Sequence, residues 1–112
     1  MRIWDIEIER LCNQHLLGEH RELHAIWSIL INNKKGYSNH PETKRWVGKL
    51  NALYSRHEEQ VKEIEKRKFK HRSPLEKKYL KGENIQNEFV DSIEEQIRIL
   101  KEKKCKCNLK YD

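Results

Sequence analysis

The chain has 112 residues, of which 38% are charged and 36% hydrophobic, so it has the size of one domain with a thin core. It carries a formal net charge of +6 and three cysteines, an odd count that indicates reduced thiols rather than a disulfide framework. Neither a membrane-spanning apolar run nor a signal peptide is present, so we expect a cytoplasmic, monomeric single domain over 1–112 with a flexible tail over 105–112.

Hydrophobic periodicity predicts an all-α fold. Apolar residues recur at spacings of three, four and seven, and no sustained alternating run suggests a strand. Pro41 suits the first turn of a helix, whereas Ser73-Pro74 interrupts the pattern. The expected elements, in chain order, are a helix over about 7–32, a helix over about 41–68, a short helical turn over about 75–80 and a helix over about 83–104. Three main helices should therefore pack around one core.

The positive charge is concentrated in the middle of the chain. Residues 41–81 carry thirteen Lys and Arg against six Asp and Glu, whereas both ends are nearly balanced. Such an excess attracts a polyanion such as DNA, although a solvated lysine-rich surface has the same composition. Arg45, Lys49 and Arg56 share one stripe beside the apolar face of the second predicted helix, which favours phosphate contacts over an ordinary solvated face.

One short segment carries most of the functional information. It is His15-Leu16-Leu17-Gly18-Glu19-His20-Arg21-Glu22-Leu23, and it follows Met1-Arg2-Ile3 at a fixed distance. The segment resembles the HLxxEYREL pattern of the pyrimidine-dimer DNA glycosylases, the endonuclease V type of UV-damage repair enzyme. Counting back from Glu22 without a gap brings the nucleophilic N-terminal residue of that family onto Met1.

The resemblance implies a role for each matched residue. The α-amine of Met1 is the nucleophile, Glu22 is the acid/base, and Arg2 and Arg21 are phosphate ligands. His15 also lies in a matched position, on the same helix side as Glu22, and we assign it to DNA binding. An α-amine has a reference pKa near 8, so a useful fraction is unprotonated at neutral pH.

The same resemblance implies the reaction and the substrate. The family removes UV-induced pyrimidine dimers from double-stranded DNA through a Schiff base and then cleaves the abasic site by β-elimination, without a metal or an organic cofactor. One departure is clear: the aromatic C-terminal segment of the family, resembling WYKYYG, has no counterpart in the tail over 105–112.

Two other interpretations remain open. The chain could be a helical DNA-binding module without catalytic activity, which would use only the basic middle third. It could instead bind a metal through His20 and His24, an i, i+4 pair for which the sequence places no third ligand. His57 is interpreted as a hydrogen-bonded core histidine, and the Cys105-Lys106-Cys107 pattern lacks the second pair typical of zinc sites.

Overall fold

The computed structural model describes residues 2–32, 40–70, 74–103 and 107–108. These residues form four α-helices and two short 3-10 turns: α1 (Asn13–Asn32), α2 (Pro41–Lys44), α3 (Leu50–Lys66) and α4 (Ile93–Glu102), with turns at Ile8–Arg10 and Lys77–Tyr79. No β-strand occurs within these ranges, so the prediction of an all-α fold with three main helices and a short additional turn is confirmed. None of the helices in this part of the chain has the length and apolar character that a bilayer span requires.

The first helix begins at Asn13, later than its predicted start at Glu7. The residues before it have no regular secondary structure apart from the Ile8–Arg10 turn, and their apolar side chains are buried, with Ile3 and Ile6 each 1% exposed. These side chains enter two core clusters, Ile3 with α1 and α3, and Ile6 with Leu100 of α4. Ile8 and Leu11, which belonged to the apolar spacing of the predicted helix, lie instead in the Ile8–Arg10 turn and directly after it, and both are buried.

The second predicted helix is divided into α2 and α3 by a turn. Gly48 lies in this turn with φ of +76°, a conformation that side-chain-bearing residues rarely adopt. The start of α3 has no side-chain cap, and its first amide groups donate instead to a distant loop. Asn51 N–H donates to the Lys81 carbonyl and Ala52 N–H to the Glu83 carbonyl, each at 3.0 Å. The loop thus supplies the acceptors that a helix N-terminus requires.

The third predicted helix begins at Ile93 instead of Glu83, because the residues before it belong to the loop that caps α3. Gly82 has φ of +84°, and a Cβ atom there would lie 2.0 Å from the Gly48 carbonyl oxygen. Such close backbone contact is incompatible with a helix at this position. The helix starts where Ser92 accepts a hydrogen bond from Glu95 N–H at 3.1 Å, the usual serine cap.

Candidate active site

Residues 3–6 are held by polar side chains rather than by backbone pairing. Three consecutive amide groups donate to side-chain oxygens: Ile3 to Glu42 (3.2 Å), Trp4 to Glu19 (2.7 Å) and Asp5 to Gln96 (2.8 Å). Three carbonyl groups accept from guanidinium groups: Ile3 from Arg45 (2.9 Å), and Trp4 and Ile6 from Arg56. We call Glu19, Glu42, Arg45, Arg56 and Gln96 the N-terminal clamp. Because its members come from all four helices and the turn after α2, the clamp fixes this segment relative to the whole fold.

Arg45 and Arg56, which the sequence placed on one stripe beside the apolar face, are largely buried within the clamp. The Arg45 side chain is 4% exposed and pairs with Asp5 at 3.0 Å and with Glu42. The Arg56 side chain is 14% exposed and pairs with the fully buried Glu19 at 3.0 Å. A buried guanidinium is tolerated only when it is paired and hydrogen-bonded, and both arginines meet that condition with protein groups. The described hydrogen bonds of both guanidinium groups are therefore made to protein oxygens.

Lys49 departs from the expected stripe in the same way. Its side chain is 7% exposed, and its Nζ lies 3.2 Å from a Glu88 carboxylate oxygen and 2.8 Å from Gln86 Oε1. Both partners lie in the irregular loop before α4, which the sequence had suggested was helical. Lys49 therefore anchors that loop beside α3.

A pocket of about 270 Å³ lies beside the clamp, against the first half of α1. Its lining is Arg2, Trp4, Gln14, His15, Gly18, Glu19, Arg21 and Glu22. Four of the residues singled out from the sequence meet here: Arg2, His15, Arg21 and Glu22. Met1 lies outside the described residues, and Arg45, Lys49 and Arg56 do not line the pocket. The catalytic and DNA-binding roles of all these residues remain predictions.

The two carboxylates of the pocket have opposite environments. Glu19 is completely buried and accepts hydrogen bonds from Arg56, Gln60 and the Trp4 amide. Glu22, one turn further along α1, is half-buried, and no hydrogen bond or ion pair holds its carboxylate within the described residues. The carboxylate of Glu19 is thus occupied by hydrogen bonds within the protein, whereas that of Glu22 can interact with a molecule in the pocket.

The two arginines of the pocket also differ. Arg2 forms an ion pair with Asp91 at 2.8 Å and lies over the Trp4 ring at 4.9 Å, so its guanidinium has a defined position. Arg21 is exposed and makes no ion pair with any residue in the described ranges. A charged guanidinium at the rim of a pocket suits a phosphate group.

His15 forms one wall of the pocket beside two cysteines. Its Nδ1 lies 3.1 Å from the Cys12 sulfur and 3.5 Å from the Cys107 sulfur. Its pKa lies below the ordinary histidine value, first because burial disfavours the charged ring and second because Lys103 repels it. Burial therefore favours the neutral form of the ring, which can donate or accept a hydrogen bond. Cys105 lies outside the described residues.

Among the residues that the structure describes, two groups bring possible metal ligands within 4.8 Å of one another: Cys12 with His15 and Cys107, and His20 with His24 and His57. His57 is 0% exposed, as the interpretation of a core histidine required. It also places a third ring beside the His20–His24 pair, which spacing along one helix could not reveal because His57 belongs to α3.

Sequence reasoning missed most of the clamp. Glu42 and Arg45 carried a weak signal, an acid three residues before a base on one helical turn. Gln96 and Asp91 carried none, since both lie about 90 residues along the chain from the segment they hold.

Comparison with known families gives a match, and it covers the residues of the pocket. The family model of the pyrimidine dimer DNA glycosylases matches residues 1–77, which include α1, α2, α3 and every residue that lines the pocket. Neither the curated proteins nor the solved structures contain a match. The chain belongs to the pyrimidine dimer DNA glycosylase family, and α4 lies beyond the matched residues.

Proposed function

We propose that this member of the pyrimidine dimer DNA glycosylase family acts as a monomer on pyrimidine dimers in double-stranded DNA. In this proposal it cleaves the glycosidic bond and then cuts the strand at the abasic site. One observation supports the proposal most strongly: Glu22 and Arg21 line the same pocket as Arg2, the residue directly bonded to Met1. The α-amine of Met1 is the proposed nucleophile.

The proposed reaction has two stages. The unprotonated amine attacks C1′ of the damaged nucleotide, the bond from C1′ to the base nitrogen breaks, and the base leaves with that electron pair. Glu22 donates a proton as the base departs, and it accepts a proton in the later stage. Loss of an amine proton and opening of the sugar ring give an imine, which acidifies the adjacent C2′ hydrogen. Removal of that hydrogen expels the 3′ phosphate by β-elimination.

The clamp anchors the backbone that follows the proposed nucleophile in the chain. A nucleophile on a flexible terminus would lose much of the advantage of proximity, which can reach roughly 7–11 kcal/mol for well-oriented groups. Here Ile3 and Trp4 are anchored by both their amide and their carbonyl groups. The proposed amine is therefore separated from an anchored backbone by Arg2 alone.

Arg21 is the proposed phosphate ligand whose removal should be simplest to interpret. The logarithm of the binding constant for undamaged duplex falls linearly with the logarithm of the salt concentration. Replacing Arg21 with Ala should make this negative slope shallower by roughly one unit, because one phosphate contact is lost. Arg98→Ala removes the same charge from exposed α4, where the guanidinium pairs with Glu95 and Glu102, and serves as the matched control. Equal slopes for the two variants would exclude a phosphate contact at Arg21.

Borohydride trapping tests the proposed function as a whole. Duplex DNA with one abasic site is incubated with the protein and sodium borohydride, which reduces an imine to a stable covalent adduct. We expect a 1:1 protein–DNA adduct whose yield is unchanged by a chelator, together with cleavage of dimer-containing duplex. A protein that binds the duplex but gives no adduct would be a DNA-binding module instead.

A further inference from the structure

Three histidine side chains converge between α1 and α3. His24 Nε2 lies 3.2 Å from His20 Nε2 and 3.2 Å from His57 Nε2. The rings of His20 and His57 stack at 4.9 Å, and both meet the His24 ring edge-on. His57 is fully buried, whereas His20 and His24 are half-buried, so small ions can reach the cluster from the side of α1.

The outer nitrogens of two of these rings are occupied by acceptors. His20 Nδ1 lies 2.8 Å from Gln60 Oε1, and His57 Nδ1 lies 3.2 Å from Glu58 Oε1. Gln60 is oriented in turn by Glu19, whose carboxylate accepts from the Gln60 amide nitrogen. Since both oxygens only accept, Nδ1 of each ring carries the proton, and Nε2 carries the lone pair when the ring is neutral.

This arrangement presents lone pairs to one another. A proton on His24 Nε2 would have to be shared between two acceptors at equal distances. A metal ion accepts all three lone pairs, and an outer hydrogen bond from Nδ1 to a carboxylate or an amide is the usual support of a metal-binding histidine. With Zn–N bonds of about 2.0–2.1 Å, neighbouring nitrogens of a tetrahedral site lie about 3.3 Å apart. The two contacts at 3.2 Å match that separation.

We propose that His20, His24 and His57 bind one divalent transition-metal ion of the zinc class through their Nε2 atoms. Imidazole nitrogen suits this class, and three histidines with one further ligand, such as water, complete a four-coordinate site. The ion joins α1 to α3 across the helix interface. The amine chemistry proposed above does not depend on it.

Metal titration of the full chain tests this site directly. The protein is stripped with a chelator, dialysed and titrated with Co²⁺, whose visible absorption reports ligand type and geometry. We expect one equivalent to bind with the intense visible bands of a tetrahedral ion and without the near-ultraviolet band of a cobalt–thiolate bond. Addition of Zn²⁺ should displace the cobalt and raise the melting temperature above that of the stripped protein.

Two variants test the proposed ligands. His24→Ala removes a half-buried ligand without opening the core, and we expect affinity to fall by more than the roughly 10- to 100-fold typical of outer-shell changes. Glu58→Gln changes the acceptor beside His57 Nδ1, which also interacts with the Tyr54 hydroxyl, and should weaken binding by roughly tenfold. Circular dichroism checks whether each variant is folded. If His24→Ala unfolds, the affinity of Glu58→Gln for the metal still tests the site.

The control variant addresses the cysteine cluster at the other end of α1. Cys12→Ser combined with Cys107→Ser removes both described thiols beside His15 and should leave one tetrahedral site of unchanged affinity. Loss of binding in this control with retention in His24→Ala would place the ion on the thiols and overturn the proposal. Absence of any stoichiometric binding by the unchanged protein would overturn it equally.

Discussion

Glu22→Gln is expected to lower strand cleavage by at least about two orders of magnitude, the scale of general acid/base catalysis. The fold should be retained, because no interaction within the described residues depends on the Glu22 carboxylate. Glutamine preserves the shape of the side chain but can neither donate a carboxylic acid proton nor accept one at neutral pH. Single-turnover cleavage of dimer-containing duplex measures the effect separately from product release.

Glu59→Gln is the matched control for this variant. It makes the same chemical change at an exposed position on α3, outside the pocket, and should leave cleavage unchanged. Duplex affinity should be similar for both variants and the unchanged protein. Near-normal turnover by Glu22→Gln would exclude the acid/base role of this residue.

Arg56→Met is expected to lower the free energy of unfolding by about 3–5 kcal/mol, the usual effect of removing one partner of a buried ion pair. The change leaves the Glu19 carboxylate buried without its cation and deprives the Trp4 and Ile6 carbonyls of their donor. Urea unfolding followed by circular dichroism measures it, provided that the dependence on urea concentration is unchanged. Arg98→Met, which breaks an exposed ion pair on α4, should have little effect.

The same variant decides between the structural role of Arg56 and the phosphate role suggested by the sequence. At a low temperature where Arg56→Met is folded, the salt dependence of duplex binding should equal that of the unchanged protein. Cleavage should nevertheless fall, because the N-terminal segment loses one of its anchors. A variant of normal stability with a shallower salt dependence would restore Arg56 as a phosphate ligand.

The helices could be predicted from the sequence because they depend on local spacing, and part of the pocket lining could be identified from one short segment of the chain. His15 and Glu22 are seven residues apart on α1, so their common side follows from helical geometry. Arg21 lies about 100° around the helix from Glu22, so its place at the pocket did not follow from spacing. Arg2 was identified only through the resemblance to the glycosylase family. The family match confirms the membership of the chain in that family. The interior of α1 and α3 likewise followed from apolar spacing.

The clamp could not be predicted, because its contacts cross the whole chain. Periodicity cannot distinguish an arginine on a solvated face from one turned inward, and for Arg45 and Arg56 the difference is made by carboxylates on other elements. Ile8 and Leu11, which precede α1, also have a spacing that apolar residues of a helix would share. The backbone of residues 3–5 is stabilised by Glu19, Glu42 and Gln96, and no local pattern reports hydrogen bonds over such separations.

The protein atom that carries the covalent adduct shows whether the anchored N-terminal segment presents an amine nucleophile beside Glu22. Intact mass first establishes that Met1 is retained and unmodified. The borohydride-trapped adduct with abasic duplex is then digested and mapped by tandem mass spectrometry. We expect the reduced sugar on the α-amine of Met1 and no adduct after selective acetylation of that amine. An adduct on a lysine, or full trapping by the acetylated protein, would contradict this expectation.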